Sequence, residues 1–262
     1  KKQSMVVGDI LDINQVNDVI KDCEYVYHFA GLADINESKI KPIETIRSNI
    51  LGTTNILESC RKSEIKRFIF ASTIYVYSDL GSFYRSSKQS CELIIENYKE
   101  EYGLNYSILR YGSLYGKRAN NFNFIKNAII EALTKKKIDR KGNGNEIRDY
   151  IHVKDAAKAS VEILNNDFNN LHVMIKGSQT IKVKQLLSMI NEIMGNEIEI
   201  NYLKDSLYEG HYQLTPYAFR PKVAEKYLLK TYHDLGQGLL DTIYDIYEEI
   251  HSKNPESLLK KF

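Results

Sequence analysis

The stretch from Arg67 to Lys88, RFIFASTIYVYSDLGSFYRSSK, limits what this chain can become more than any other. Phe68-Ile69-Phe70-Ala71 is a short apolar run bounded by polar residues, the pattern of a strand covered on both faces. A strand covered on both faces belongs in the middle of a parallel sheet flanked by helices. The neighbouring segments agree, because apolar strand runs alternate with helical periodicities along the first half of the chain. Ser4–Val7 and Tyr25–Phe29 read as strands, and a polar helix with Val16, Val19 and Ile20 on one face lies between them. Pro42 to Arg61 reads as a helix carrying Ile43, Ile46, Ile50, Ile56 and Leu57, with Pro42 at a permitted first-turn position. Tyr106–Tyr111 is the next strand, ending at Gly112. This alternation predicts right-handed βαβ units.

After Gly116 the order changes. Helices are expected at Asn123–Thr134, Ala156–Leu164 and Val183–Met194, and strands at Ile147–Val153, Leu171–Ile175 and Glu197–Tyr202. A final helix carries Leu239, Ile243, Ile246 and Ile250. The expected organisation is a parallel α/β domain over 1–112, rejoined by 152–176, with 113–262 mainly a smaller α/β lobe.

Chemistry concentrates around the central strand. Ser72 and Thr73 fall at its carboxyl end, where open α/β sheets bind ligands. Tyr84 follows, and Lys88 lies at i+4 on the same helix face. Tyrosine is a poor base at neutral pH, since its ordinary pKa is about 10. A nearby lysine cation is expected to lower that value. Hydroxyl, phenol and ammonium together could move a proton at a carbinol oxygen while a hydride is exchanged at its carbon.

Composition excludes several other classes. A net charge of +2 over 262 residues favours neither nucleic acid nor a membrane surface. The run Lys135-Lys136-Lys137 reads as a solvated helix end. Cys23, Cys60 and Cys91 are too dispersed for a disulfide framework or a metal motif, so reduced thiols, a cytoplasmic location and no metal are expected. No apolar run approaches the roughly 18 residues of a spanning helix. Because the sequence opens on Lys1 rather than Met, the chain is expected to begin inside a longer one.

Laid out in order, these residues resemble the extended short-chain dehydrogenase/reductases of the nucleotide-sugar epimerase/dehydratase type. The likeness is carried by Gly8-Asp9-Ile10, Val26-Tyr27-His28-Phe29-Ala30-Gly31, Asn49–Asn55, Ser72-Thr73 and Tyr84-x-x-x-Lys88. It continues through Leu109–Gly116 and Gly144–Asp155. The resemblance implies a Rossmann-type doubly wound parallel sheet, with 1–112 and 152–176 the dinucleotide-binding domain and 113–262 mainly the substrate-binding lobe. It also implies bound NAD, with NADP left open, a nucleotide-sugar substrate, and a homodimer through helices 42–61 and 82–102.

In the roles that the resemblance implies, Tyr84 is the general acid/base and Lys88 lowers its pKa. Thr73 bonds the reacting sugar oxygen. Asp9, Ile10, Phe29, Ala30, Gly31, Asn49, Ser72, Tyr84, Lys88, Tyr111 and Leu114 meet the cofactor. Thr73, Ser113, Arg148 and His211 meet the substrate. Simpler roles stand beside these: a turn aspartate for Asp9, a satisfied core amide for Asn49, an ion pair with Asp149 or Asp155 for Arg148. His28 and His152 read as packed neutral histidines.

The sequence departs from the family pattern in five places. The glycine-rich strand-turn-helix expected before Gly8 is absent, so the sheet is expected to lack the strand between Ser4–Val7 and Tyr25–Phe29. The loop from Tyr77 to Tyr84 is short. Ser113 replaces an asparagine, and His211-Tyr212 stand where an arginine often binds phosphate, which leaves the nucleotide open. Ile74 and Tyr75 replace the acidic pair of the dehydratases, so 4,6-dehydration is disfavoured. The expected activity is therefore 4-epimerisation by transient NAD-dependent oxidation of a sugar carbinol. The alternatives are an NADPH-dependent 4-keto-sugar reductase and a non-catalytic dinucleotide-binding scaffold.

Overall fold

A computed structural model describes residues 3–203 and 225–252. In chain order the elements begin with α1 (Ile13–Ile20), β1 (Tyr25–His28), α2 (Ile35–Ile40), α3 (Pro42–Ile46) and α4 (Gly52–Lys62). Next come β2 (Arg67–Thr73), α5 (Ser82–Tyr102), β3 (Tyr106–Tyr111), β4 (Ser113–Tyr115), α6 (Phe124–Lys135) and β5 (Lys137–Lys141). They continue with β6 (Ile147–His152), α7 (Val153–Glu162), β7 (Leu171–Ile175), β8 (Thr180–Lys182) and α8 (Val183–Ile193). The series ends with β9 (Glu199–Leu203), β10 (Glu225–Lys226) and α9 (Leu235–Ser252). Two compact units result. Of the described residues, the first holds 3–111, 160–175 and 225–227, and the second holds 112–159, 176–203 and 228–252.

The first unit is built on a parallel sheet of order β1-β2-β3-β7-β10, the α/β Rossmann-type arrangement expected from the sequence. Phe68 and Phe70 of β2 and Ile108 of β3 are fully buried. They pack with Val16 and Ile20 of α1, Leu57 and Cys60 of α4, and Cys91 and Ile95 of α5. Burying each such phenylalanine contributes about 2–3 kcal/mol, which is why this run takes the sheet centre. On the opposite face, Arg67 donates to the carbonyls of Ile163 and Asn165 beyond α7.

Glycines bound α5 at both ends. Gly81 precedes it at φ +108°, and Gly103 ends it at φ +72° with its N–H on the Lys99 carbonyl. The helical stretch from Pro42 is interrupted by a π-turn over Arg47–Leu51, so it is not one continuous α-helix.

The second unit holds a three-stranded sheet, β4-β6-β8, and a parallel pair, β5 with β9. Its core joins Ile125, Ile129 and Ala132 of α6 to Leu186, Leu187 and Ile190 of α8 and Leu239 and Ile246 of α9.

Two expectations are corrected. Ser4–Val7 forms no strand; Met5, Val6 and Val7 are largely exposed, and they pair with no strand among the described residues. An apolar run becomes a strand only with a hydrogen-bonded neighbour. Lys135-Lys136-Lys137 is not simply a solvated helix end. Lys136 turns left-handed at φ +54° and Lys137 opens β5 against β9.

Candidate active site

In the first unit the chain leaves β1 through Phe29, Ala30 and Gly31. Gly31 sits at φ +133°, and a Cβ there would lie 2.6 Å from Asn49 Oδ1, so only glycine fits the turn. Asn49, buried in the π-turn, holds that turn directly. Its Oδ1 accepts from Leu32 N at 2.7 Å, and its Nδ2 donates to Leu32 O and Ser87 Oγ, both at 2.9 Å. The side chain is thus consumed in shaping the loop and tying it to α5. This is the satisfied core amide rather than a direct cofactor contact.

His28 is buried with Nε2 2.9 Å from Thr53 Oγ1, and burial, helped by the Lys88 charge, pulls its pKa down to about 3. It is a neutral packed histidine, as the sequence suggests.

A cavity of about 490 Å³ lies beside this strand end, lined by Asp9, Ile10, His28, Phe29 and Ala30 together with Val6, Val7 and residues of α1. Asp9 closes a local turn, its Oδ1 accepting from Leu11 N at 2.9 Å, as the turn-aspartate reading expects, and it also lines the cavity.

The reacting groups lie at the carboxyl end of β2. Thr73 is buried, its Oγ1 accepts from Tyr75 N at 3.2 Å, and its hydroxyl lies beside the Tyr84 phenol. Burial pushes Tyr84 up to about 12, with the Thr73 contact opposing. Lys88 is 6 % exposed, donates to Ala71 O at 2.9 Å and lies 4.5 Å above the Phe70 ring. Burial lowers Lys88 to about 8, while Cys91 and Glu92 support its charge.

The expectation that Lys88 lowers the Tyr84 pKa is therefore corrected. The ammonium is engaged by the strand carbonyl and the aromatic face, and desolvation governs the phenol.

Ser72 also differs from its expected cofactor role, since its hydroxyl turns inward to Glu92 Oε1 at 2.5 Å. Tyr111 is buried with its hydroxyl 2.5 Å from Ser160 Oγ and its ring 6.2 Å from Phe29, whose own ring is 59 % exposed. Sequence reasoning missed Glu92 and Arg110, although Glu92 is one further i+4 step beyond Tyr84 and Lys88 on α5.

In the second unit Ser113 and Leu114 lie on β4 beside β6, and the Leu114 carbonyl accepts from Asn123 Nδ2 at 2.8 Å. Arg148 is 7 % exposed and donates from Nη1 to Ile147 O at 2.9 Å. Asp149, one candidate partner for it, takes Lys176 Nζ at 2.9 Å and Thr180 Oγ1 at 2.6 Å. Asp155, the other, accepts from His233 N at 3.0 Å. His152 stacks on His233 at 5.0 Å, and burial lowers its pKa. His211 lies outside the described residues. Among the described residues no cluster of His, Cys, Asp and Glu could hold a metal, and no helix is long and apolar enough to cross a membrane.

Comparison with known proteins agrees with this arrangement. Residues 1–175 match the NAD dependent epimerase/dehydratase family. A relative from Methanocaldococcus jannaschii, provisionally named UDP-glucose 4-epimerase, is 31% identical over 223 residues, covering 78% of this chain and 72% of that protein. The dTDP-glucose 4,6-dehydratase of Mycolicibacterium smegmatis is 27% identical over 258 residues, 91% of this chain and 76% of its own. Among solved structures, a UDP-N-acetylglucosamine 4-epimerase from Methanobrevibacter ruminantium superposes with a TM-score of 0.81 at 23% identity, covering 94% of this chain and 83% of that one. The chain belongs to the NAD dependent epimerase/dehydratase family and is an enzyme whose cofactor is NAD.

Proposed function

We propose that the chain is a nucleotide-sugar 4-epimerase that transiently oxidises the sugar carbinol and reduces it on the opposite face. The observation that carries this reading is the placing of the buried Thr73 hydroxyl beside the Tyr84 phenol at the end of β2, with no carboxylate directly after Thr73. Ile74 is 2 % exposed, and the Tyr75 ring lies edge-on to Tyr84 at 6.5 Å. Neither position offers an acid or base for removing water, which argues against 4,6-dehydration.

Bound NAD would supply hydride exchange at the carbinol carbon. Asp9, Ile10, Phe29 and Ala30 would hold its adenosine end, and the Asn49-braced turn at Gly31 would let it pass close to the backbone. Thr73 orients the substrate oxygen. Tyr84, held as a neutral phenol by burial, donates its proton as the ketone is reduced. The forward step needs the phenol to ionise against the desolvation that raises its pKa, and Lys88, one turn on, would hold the cofactor. In the second unit, Arg148 supplies a planar cationic fork suited to a pyrophosphate, with Ser113 a further substrate contact.

A homodimer belongs to the same reading. Ile40, Ile43 and Ile46 on α2 and α3, and Leu93 on α5, are 45–78 % exposed, more apolar surface than these helices need when solvated.

The test is turnover of UDP-glucose, UDP-glucuronate, dTDP-glucose and their 4-epimers with NAD present. Interconversion of at least one pair is expected, and Tyr84→Phe should fold normally while losing about 10³-fold or more in kcat. Product lacking water would overturn the reading in favour of dehydration. One-way reduction of a 4-keto sugar would overturn it in favour of a ketoreductase.

A further inference from the structure

Behind the reacting groups lies a buried polar network that the proposed chemistry does not use. Glu92, one turn beyond Lys88 on α5, is 4 % exposed, and Arg110 of β3 is fully buried. They pair through Arg110 Nη2 to Glu92 Oε2 at 2.6 Å and Nε to Oε1 at 3.1 Å. The pair is tied to the chain on both sides of Thr73. Upstream, Ser72 Oγ donates to Glu92 Oε1 at 2.5 Å. Downstream, Arg110 Nη1 donates to Tyr77 Oη at 2.7 Å, and the guanidinium lies 4.8 Å over the Tyr77 ring. Ser72, Glu92, Arg110 and Tyr77 thus close a ring of hydrogen bonds through the backbone, and Thr73 is inside it.

The far side of Arg110 is braced as well. Its Nη2 lies 2.7 Å from His172 Nδ1. A guanidinium only donates, so Nδ1 accepts and His172 is the neutral tautomer that gives its Nε2 proton to Glu96 Oε1 at 2.7 Å. A buried ion pair of this kind adds little net stability compared with apolar packing, so a second role for it is reasonable.

We propose that Glu92, locked by Arg110, is a positioning residue for the reaction: it fixes the strand end so that the Thr73 hydroxyl stays aimed at Tyr84. This rests on the epimerase reading above. Glu92 also supports the ammonium of Lys88, which otherwise faces Cys91 on its own helix and neutral His28 from β1.

The experiment compares Glu92→Gln, Ser72→Ala and Tyr77→Phe with wild type and Tyr84→Phe. Activity is measured on whichever of UDP-glucose, UDP-glucuronate or dTDP-glucose wild type turns over fastest. Glu92→Gln keeps the shape and removes the charge. It should lower kcat about 10–100-fold with KM and NAD affinity within about twofold, and move the alkaline limb of kcat to lower pH. Ser72→Ala and Tyr77→Phe each cut the ring on one side of Thr73 and leave the charges in place. They should lower kcat about tenfold without moving that limb.

A purely structural network would lower the melting temperature and leave kcat and its pH profile alone. Retention of wild-type kcat by Ser72→Ala and Tyr77→Phe overturns the proposal, whether or not Glu92→Gln folds. Retention of activity by Tyr84→Phe overturns the epimerase reading instead, so the two failures are distinguishable.

Discussion

Lys88 carries a stability penalty that should be visible as a pH effect. Burial at 6 % exposure brings its pKa from 10.5 to about 8. Keeping the ammonium in the folded protein therefore costs about 3 kcal/mol at neutral pH. The folded value lies below the unfolded one, so between about pH 8 and 10.5 the unfolded chain binds more protons. Stability attributable to this group therefore rises with pH across that window; the penalty is fully present below it and gone above it.

Lys88→Met removes the titration. It also removes the bond to Ala71 O, a loss that does not vary with pH. The stability of wild type minus that of the variant should therefore rise by about 2 kcal/mol between pH 7 and 9.5. Urea unfolding at both pH values gives this difference directly, and thermal unfolding should show it as about 4–8 °C. The variant should be inactive at every pH, even where it is the more stable protein. A wild-type-minus-variant difference that stays flat between the two pH values would refute the reasoning. It would mean that the buried ammonium is solvated as well as a free one.

Other perturbations test packing and assembly. Gly177→Ala would place a Cβ 2.0 Å from the Tyr150 carbonyl oxygen, a backbone atom that cannot swing aside, and should cost about 3 kcal/mol. Gly103→Ala meets open space and strains only φ, so calorimetry should show a cost of about 1 kcal/mol there. Ile43→Glu combined with Leu93→Glu changes two well-exposed side chains and should convert a dimer to a monomer in sedimentation, with little change in unfolding midpoint. A wild type that sediments as a monomer would remove the dimer proposal.

Much of the fold is legible in the sequence because its cause is local. The β3 and β7 strands fall where alternation and turn glycines place them, and α5 begins and ends at glycines that the chain displays openly. The π-turn around Asn49 is different, because nothing in Arg47–Leu51 departs from helical periodicity. The extra residue in that turn accompanies an amide that reaches the Leu32 backbone, a demand made by a loop distant in sequence. The β5 strand was hidden for a similar reason: a lysine-rich segment became a strand once β9 supplied its partner.

For the site, residue types and spacing determined which groups are available: a threonine at a strand end, then a tyrosine and a lysine one helical turn apart. Charge state and orientation were decided only by the folded structure. Ser72 is the clearest case, since the same hydroxyl could face a ligand or the core, and it turns inward because Glu92 and Arg110 are buried there as a pair. Spacing records which side chains share a helix face. Desolvation and partners depend on how the sheet and helices close over them, and here that closure raised Tyr84, lowered Lys88 and left the ammonium on a backbone carbonyl.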